Sequence, residues 1–367
     1  MPQIHAAHVN LPHFQVLDPV IRLGIVGSNY GRLVQLPAFR ADPRCDVVAL
    51  AGGDATRTAA RAREVGILKA YGDWRALVDD SEVDAVAIAT IPSLQPEIAL
   101  HALARGKPVF AEKPLANDLA SARAMRDAAQ ASKLPTMVDF NFPPIAAWAC
   151  AMDMLDAGAV GPLRHVAVHW HVENRAVQLR LRNWKTDGAT GGGVLGNFVS
   201  HCLHYLEWFG GPISGLSARI GTLPDDPQAE TTVSMSLTYA TGVLISLSMS
   251  CASYLGIGHR LEFFGEDGTL VLFNPTADYM RGFELYHARR PATALTRVAV
   301  EDPLDPQYPD GRIAPVSRLA GRFLDAIEKG TPARPNFADG YRVQVLIDAA
   351  RRSHETGTWI AVPAETQ

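Results

Sequence analysis

Near its start the chain reads Arg22-Leu23-Gly24-Ile25-Val26-Gly27-Ser28-Asn29-Tyr30-Gly31. An apolar run that breaks into glycines and then a longer, more polar segment predicts a buried strand turning tightly into a helix, here through Ala38 and Phe39. The texture returns twice, as Val47 to Ala51 before Thr56 to Val65, and as Val83 to Thr90 before Pro96 to Arg105. Two shorter apolar runs, Pro108 to Ala111 and Thr136 to Asp139, flank a helical pattern around Leu119 to Ala131. Such alternation predicts a parallel sheet with helices on both faces.

From Pro162 the pattern changes. Val166 to Val172, Thr232 to Tyr239 and Val243 to Ser250 alternate apolar and polar, and Phe264 to Thr269 reads as a hairpin turn. These runs suit an antiparallel sheet with one covered face. Helical patterns close the chain at Ser317 to Lys329, before Gly330, and Asp339 to Glu355, before Gly357. The expected class is α/β plus α+β: a doubly wound parallel sheet of the Rossmann type, then an open, mostly antiparallel sheet covered by helices. The expected division is a leader over 1–20, a nucleotide-binding domain over 21–142 and a substrate-binding and oligomerisation domain over 143–362.

Composition narrows the picture little. The 367 residues suit two domains, and 47% hydrophobic content with a net charge of −4 excludes disorder and an electrostatic hold on nucleic acid. Cys45, Cys150, Cys202 and Cys251 lie far apart without pairing motifs, which suits reduced thiols in the cytoplasm. The leader lacks a basic start and an apolar core, so no signal peptide is expected, and no run is long enough to span a membrane.

Unpaired amides where a glycine turn enters a helix attract a pyrophosphate, making Gly27, Ser28, Asn29, Tyr30 and Gly31 candidate cofactor-binding residues. Against G-x-G-x-x-G, Asn29 fills the second place and Gly31 comes one residue early, leaving Arg32 in the third. Asn tolerates the left-handed conformation better than most residues, so the turn can survive the exchange. Where the second strand ends, an acid usually binds the adenosine ribose; Gly52 stands there instead, followed by Gly53 and Asp54. A 2'-phosphate would then meet no repulsion, and Arg57 could pair with it, which tilts the cofactor reading of NAD(P) slightly toward NADP. Equally, Asp54 simply caps the next helix.

Thr90-Ile91-Pro92 and Glu112-Lys113-Pro114 follow the third and fourth strands, at the edge where open sheets bind ligands. A lysine there can orient a hydroxyl and favour a developing alkoxide; an exposed loop lysine is the competing reading. In Gly191-Gly192-Gly193-Val194-Leu195 and onward to Tyr205, a helix beginning at Asn197 would put Asn197, His201, His204 and Trp208 on one face. A histidine so presented could take a proton from a carbinol while hydride leaves its carbon. A helix histidine bonded to a backbone carbonyl is the structural alternative.

With Val83-Asp84-Ala85-Val86-Ala87-Ile88-Ala89-Thr90, Gly106-Lys107-Pro108-Val109, Ser200-His201 and Phe337-Ala338-Asp339-Gly340, these stretches make the chain resemble the Gfo/Idh/MocA oxidoreductases, from about Arg22 to Val362. The resemblance implies an NAD(P)-dependent dehydrogenase acting on a sugar, nucleotide sugar or cyclitol. It implies that Lys113 reaches substrate and nicotinamide, that His201 is the acid/base, that Trp184 and Lys185 border the sugar site, and that the second sheet pairs subunits as a homodimer or homotetramer. The family helix usually reads D-x-G-x-H-x-x-D, whereas this one carries Asn197, Val199, His201 and His204, and Gln95 replaces a common histidine. Asn197 can bond a hydroxyl but cannot accept a proton, so a dinucleotide or sugar sensor without turnover is the alternative. His165, His169 and His171 share a strand face, but hydride transfer needs no metal, and none is expected. Those histidines are expected at a subunit interface or in the cleft.

Overall fold

The computed structural model describes residues 20–276 and 278–363. The leader expected over 1–20 therefore lies almost wholly outside the described residues. The predicted parallel sheet is realised in β1 (Ile21–Val26), β2 (Cys45–Ala51), β3 (Lys69–Tyr71), β4 (Ala85–Ile88), β5 (Val109–Ala111) and β6 (Thr136–Val138), in the order β3-β2-β1-β4-β5-β6. All its pairings are parallel. Strand order reverses between β1 and β4, so the turns that follow them open a crevice at the carboxyl edge.

These segments become strands because helices cover both their faces: Leu23, Ile25 and all of β4 are fully buried. Asp54, Asp73 and Asp118 begin three of the helices by accepting the main-chain N–H of Arg57, Arg75 and Ser121, each cap contributing about 1 kcal/mol.

The second sheet contains β7 (Leu163–His171), β8 (Ile213–Leu223), β9 (Asp226–Tyr239), β10 (Leu244–Ser250), β11 (Gly258–Gly265), β12 (Gly268–Asn274), β13 (Glu284–Arg289), β14 (Thr296–Val298) and β15 (Ile360–Ala361). Their order is β14-β13-β12-β11-β7-β10-β9-β8-β15, with β7 and β10 the one parallel pair. Alternation sorts the faces: Val166, Val168, Trp170, Met235, Leu247 and Phe263 are buried inward. His165, His169 and His171 point the other way, where His165 bonds Ser246 and His171 bonds Ser248. The strand histidines therefore do not line the cleft; the even positions of β7 face it.

The packing of the helix Ile313–Lys329 does not follow a division at residue 142. Its Val316, Leu319, Phe323 and Leu324 join the core of the first sheet. Phe323 meets Phe110 and Phe39 edge-on, with centroids 5.8 and 6.3 Å apart. An amphipathic pattern shows that a helix must cover something; it does not say which sheet, and here the chain returns to the first.

Candidate active site

Gly27 makes the turn after β1, at φ +123°, and a Cβ there would lie 2.2 Å from the Ala89 carbonyl. Only glycine fits this cradle. Ser28 and Asn29 donate their amides to no protein acceptor among the described residues, as a pyrophosphate site requires. Asn29 does not take up the left-handed conformation; Lys133, Arg180 and Leu255 are the described non-glycine residues that do. Gly27 alone reverses the chain, so the tolerance of Asn is not used. A Cβ on Gly31 would sit 2.6 Å from Ile25 Cγ2 and 3.3 Å from Ala89 Cβ. Helix and strand thus come closest at this early glycine, and the helix opens with a π turn, Gly31–Gln35.

At the end of β2, Asp54 does cap the next helix, its Oδ1 taking the Arg57 main-chain N–H at 2.8 Å. The Arg57 side chain is exposed, and Gly53 borders open space. These residues fit the adenosine end of a dinucleotide; Gly52 stands where an acid usually meets the ribose, and the Asp54 carboxylate is turned to the helix start.

Across the crevice, Thr90 and Pro92 follow β4, and Pro92 packs against Gly191. Glu112, Lys113 and Pro114 follow β5. Gln95, at the start of the helix Gln95–Ala104, is fully buried and gives its Nε2 to the Pro114 carbonyl at 2.8 Å. In the place of the family's histidine it holds this loop rather than facing the cleft. Gln35 donates to Glu112 Oε1 at 3.0 Å, Tyr30 donates to Asp139 Oδ2 at 3.4 Å, and the Glu112 and Asp139 carboxyls lie beside each other. Burial raises both: Glu112 goes well above the usual carboxylate range and Asp139 to about 6. At neutral pH Glu112 is thus the member that holds its proton, and the charge of Asp139 disfavours that of Glu112.

Lys113 Nζ donates to the Asn197 main-chain carbonyl at 2.8 Å. Burial lowers the Lys113 ammonium to about 8, opposed by Glu112 and Asp139 and reinforced by Lys185. Asn197 belongs to a π turn, Leu195–Val199, that precedes the α-helix Ser200–Gly210. The expected single α-helical face is therefore interrupted: a π turn takes up an extra residue and rotates Asn197 relative to His201. The Asn197 amide points to the Lys185 carbonyl, at 3.4 Å.

His201 is buried among Phe140, Phe142 and Trp170, with Nδ1 sealed and unpartnered. Burial holds its imidazole well below the ordinary range, and the charge of Lys113 pushes the same way. His204 stacks on Phe140 at 4.1 Å, nearly parallel, and is lowered to about 3 by burial. Among the described residues no hydrogen bond directs it to the cleft, and its Nδ1 has no partner. Trp184 is half-buried and Lys185 exposed, the Lys185 ammonium 5.8 Å from the Trp184 ring. The glycine run is explained by main-chain contact: a Cβ on Gly192 would strike the Trp184 carbonyl at 1.6 Å, and one on Gly196 the Gly191 carbonyl at 1.9 Å.

Sequence reasoning missed Asp139, Arg312 and Arg61. Asp139 closes an apolar strand at the ligand-binding edge, a signal that could have marked it. Arg61 stands four residues after Arg57, on the same helix face. Arg312, whose guanidinium lies 5.3 Å from the Tyr30 ring, left no local trace, because 282 residues separate the two.

A family model described as an oxidoreductase family with an NAD-binding Rossmann fold matches residues 21–140. A second, described as the GFO/IDH/MocA C-terminal domain, matches 148–271. An uncharacterized oxidoreductase of Synechocystis sp. is 30% identical over 361 residues, covering 94% of this chain and 97% of that protein. An inositol 2-dehydrogenase of Ralstonia nicotianae is 28% identical over 351 residues, covering 92% and 94%. Among solved structures, a levoglucosan dehydrogenase in complex with NADH and L-sorbose has the same fold, with a TM-score of 0.84 at 24% identity, covering 94% of this chain and 100% of that one.

Proposed function

The chain belongs to the Gfo/Idh/MocA family of NAD-binding oxidoreductases, and from that premise we propose that it moves a hydride between NAD(P) and a carbinol or ketone of a sugar, nucleotide sugar or cyclitol. The observation that carries the reading is the contact between Lys113 Nζ and Asn197 O, which joins the carboxyl edge of the parallel sheet to the helix bearing His201. Support for a polyol substrate comes from relatives named for inositol and levoglucosan.

In this account Gly27, Ser28, Asn29, Tyr30 and Gly31 hold the pyrophosphate, Gly53 and Arg57 border the adenosine ribose, and Thr90, Pro92 and Glu112 border the nicotinamide half. When bound, the nicotinamide accepts the hydride. Lys113 Nζ, as the ammonium, polarises the reacting oxygen and favours the alkoxide. His201 is neutral throughout the physiological range and takes the hydroxyl proton; with Nδ1 sealed, Nε2 is the nitrogen left to do so. Asn197, His204, Trp184 and Lys185 border the remaining hydroxyls. The cofactor reading leans toward NADP because Gly52 stands where an acid usually meets the adenosine ribose. The polar outer face of the second sheet is our choice for subunit pairing. Among the described residues no helix is long and apolar enough to cross a membrane.

The test is absorbance at 340 nm, with purified protein and either cofactor, against sugars, cyclitols and nucleotide sugars. Turnover of at least one such carbinol is expected. Cofactor binding without turnover across the panel would favour the sensor.

A further inference from the structure

Arg61 reaches back from the second turn of the helix Ala55–Glu64 to the glycine turn, its Nη1 donating to the Ser28 carbonyl at 3.2 Å and to Ser28 Oγ at 3.0 Å. Its guanidinium therefore lies where the turns after β1 and β2 meet. Beside it, Gly52 has no room for a side chain: a Cβ would lie 2.6 Å from Thr58 Oγ1 and 3.0 Å from Ser28 Oγ. An acid at residue 52 is excluded by packing, since the buried Thr58 is fixed by its own bond to the Asp54 carbonyl at 2.6 Å. Next to this closed position, Gly53 borders open space. The closed position thus carries no carboxylate, and two arginines stand beside the open one together with the helix-capping Asp54.

Neither arginine is neutralised. Among the described residues, no carboxylate pairs with Arg57 or Arg61. Of the nearby acids, Glu64 pairs with Arg32 at 3.1 Å and Asp54 turns its Oδ1 to the Arg57 main-chain amide rather than to either guanidinium. Arg61 is half-buried and uses only Nη1 on Ser28, leaving Nε and Nη2 free to donate. A guanidinium fixed at one nitrogen and free at two others is pre-organised for the paired oxygens of a phosphate. A residue that merely braced the turn would need a donor but no charge.

We propose that Arg61, rather than Arg57, is the principal ligand of a 2'-phosphate on the adenosine ribose, and that it selects the phosphorylated cofactor. Arg57 closes the same phosphate from the solvent side. The proposal rests on the reading that the glycine turn holds a dinucleotide.

Isothermal titration with ADP-ribose and 2'-phospho-ADP-ribose tests it without catalysis. Wild-type protein is expected to bind the phosphorylated probe tighter by on the order of tenfold to a hundredfold. Arg61→Gln, which removes the charge and is too short to reach Ser28, should erase most of that preference and cost ADP-ribose much less than it costs the phosphorylated probe. Arg61→Lys should retain part of it, and Arg57→Ala should cost less than Arg61→Gln. Equal binding of the two probes by wild type, or full preference in Arg61→Gln, overturns the assignment while leaving the nucleotide reading intact. Binding of neither probe removes both.

Discussion

Lys113 donates its ammonium to the main-chain carbonyl of Asn197 at 2.8 Å, so the loop after β5 is tied to the π turn that leads into the helix Ser200–Gly210. A carboxylate on residue 197 would add a negative charge to the residue whose carbonyl takes that bond, and would favour the protonated form of Lys113. Asn197→Asp should therefore move the basic limb of kcat/KM, expected near pH 8 from Lys113, to higher pH. A pH–rate profile measures it, and an unmoved limb would count against Lys113 as its source.

Asp139 acts on the same ammonium from the other side. Its carboxyl, pushed up to about 6 by burial, stabilises the fold in its neutral form. That contribution is full below the unfolded value of about 4 and is lost as pH rises through about 6. Asp139→Asn should therefore flatten the fall in Tm between about pH 4 and pH 7, read by calorimetry. Removing its negative charge should also move the Lys113 limb to lower pH. A Tm curve parallel to wild type would contradict the first point.

His201 is kept neutral by burial and by Lys113. The acidic limb of turnover should thus fall below the ordinary histidine range, and His201→Asn should lower turnover by about 10²- to 10⁴-fold while cofactor affinity barely changes. Stopped-flow hydride transfer, compared with cofactor titration, separates the two effects. A loss confined to affinity would reassign the residue.

Two glycines offer a paired test of the nucleotide site. Gly31→Ala drives a methyl to 2.6 Å from Ile25 and should cost about 1–3 kcal/mol in denaturant unfolding, with weaker ADP-ribose binding. Gly53→Ala meets nothing within 4 Å and should leave stability nearly unchanged. Equal costs at both would mean that the approach at Gly31 is not tight.

The strands of both sheets were legible because burial imposes periodicity: a doubly covered β4 reads as an unbroken apolar run, and a half-covered β7 alternates. The glycine turn, Lys113 and His201 were legible because each lies in a short local motif. What pairs across the chain was not. Asp139 reaches Glu112 through the neighbouring strand, and the helix Ile313–Lys329 chooses the first sheet by shape rather than by pattern. The π turn at Leu195–Val199 shifted a face that α-helical spacing had lined up, since periodicity assumes one constant turn. Arg61 was hidden because a long side chain on one unit braces the turn of another.

Lys113 is proposed to supply charge to the reacting oxygen while contributing little to the affinity for the nucleotide. The most direct test of that role is single-turnover hydride transfer by Lys113→Ala at saturating cofactor, with the cofactor dissociation constant measured on the same sample. The account predicts a rate lower by about three orders of magnitude and a dissociation constant within a few-fold of wild type. An unchanged rate, or a loss explained entirely by failed cofactor binding, would contradict it.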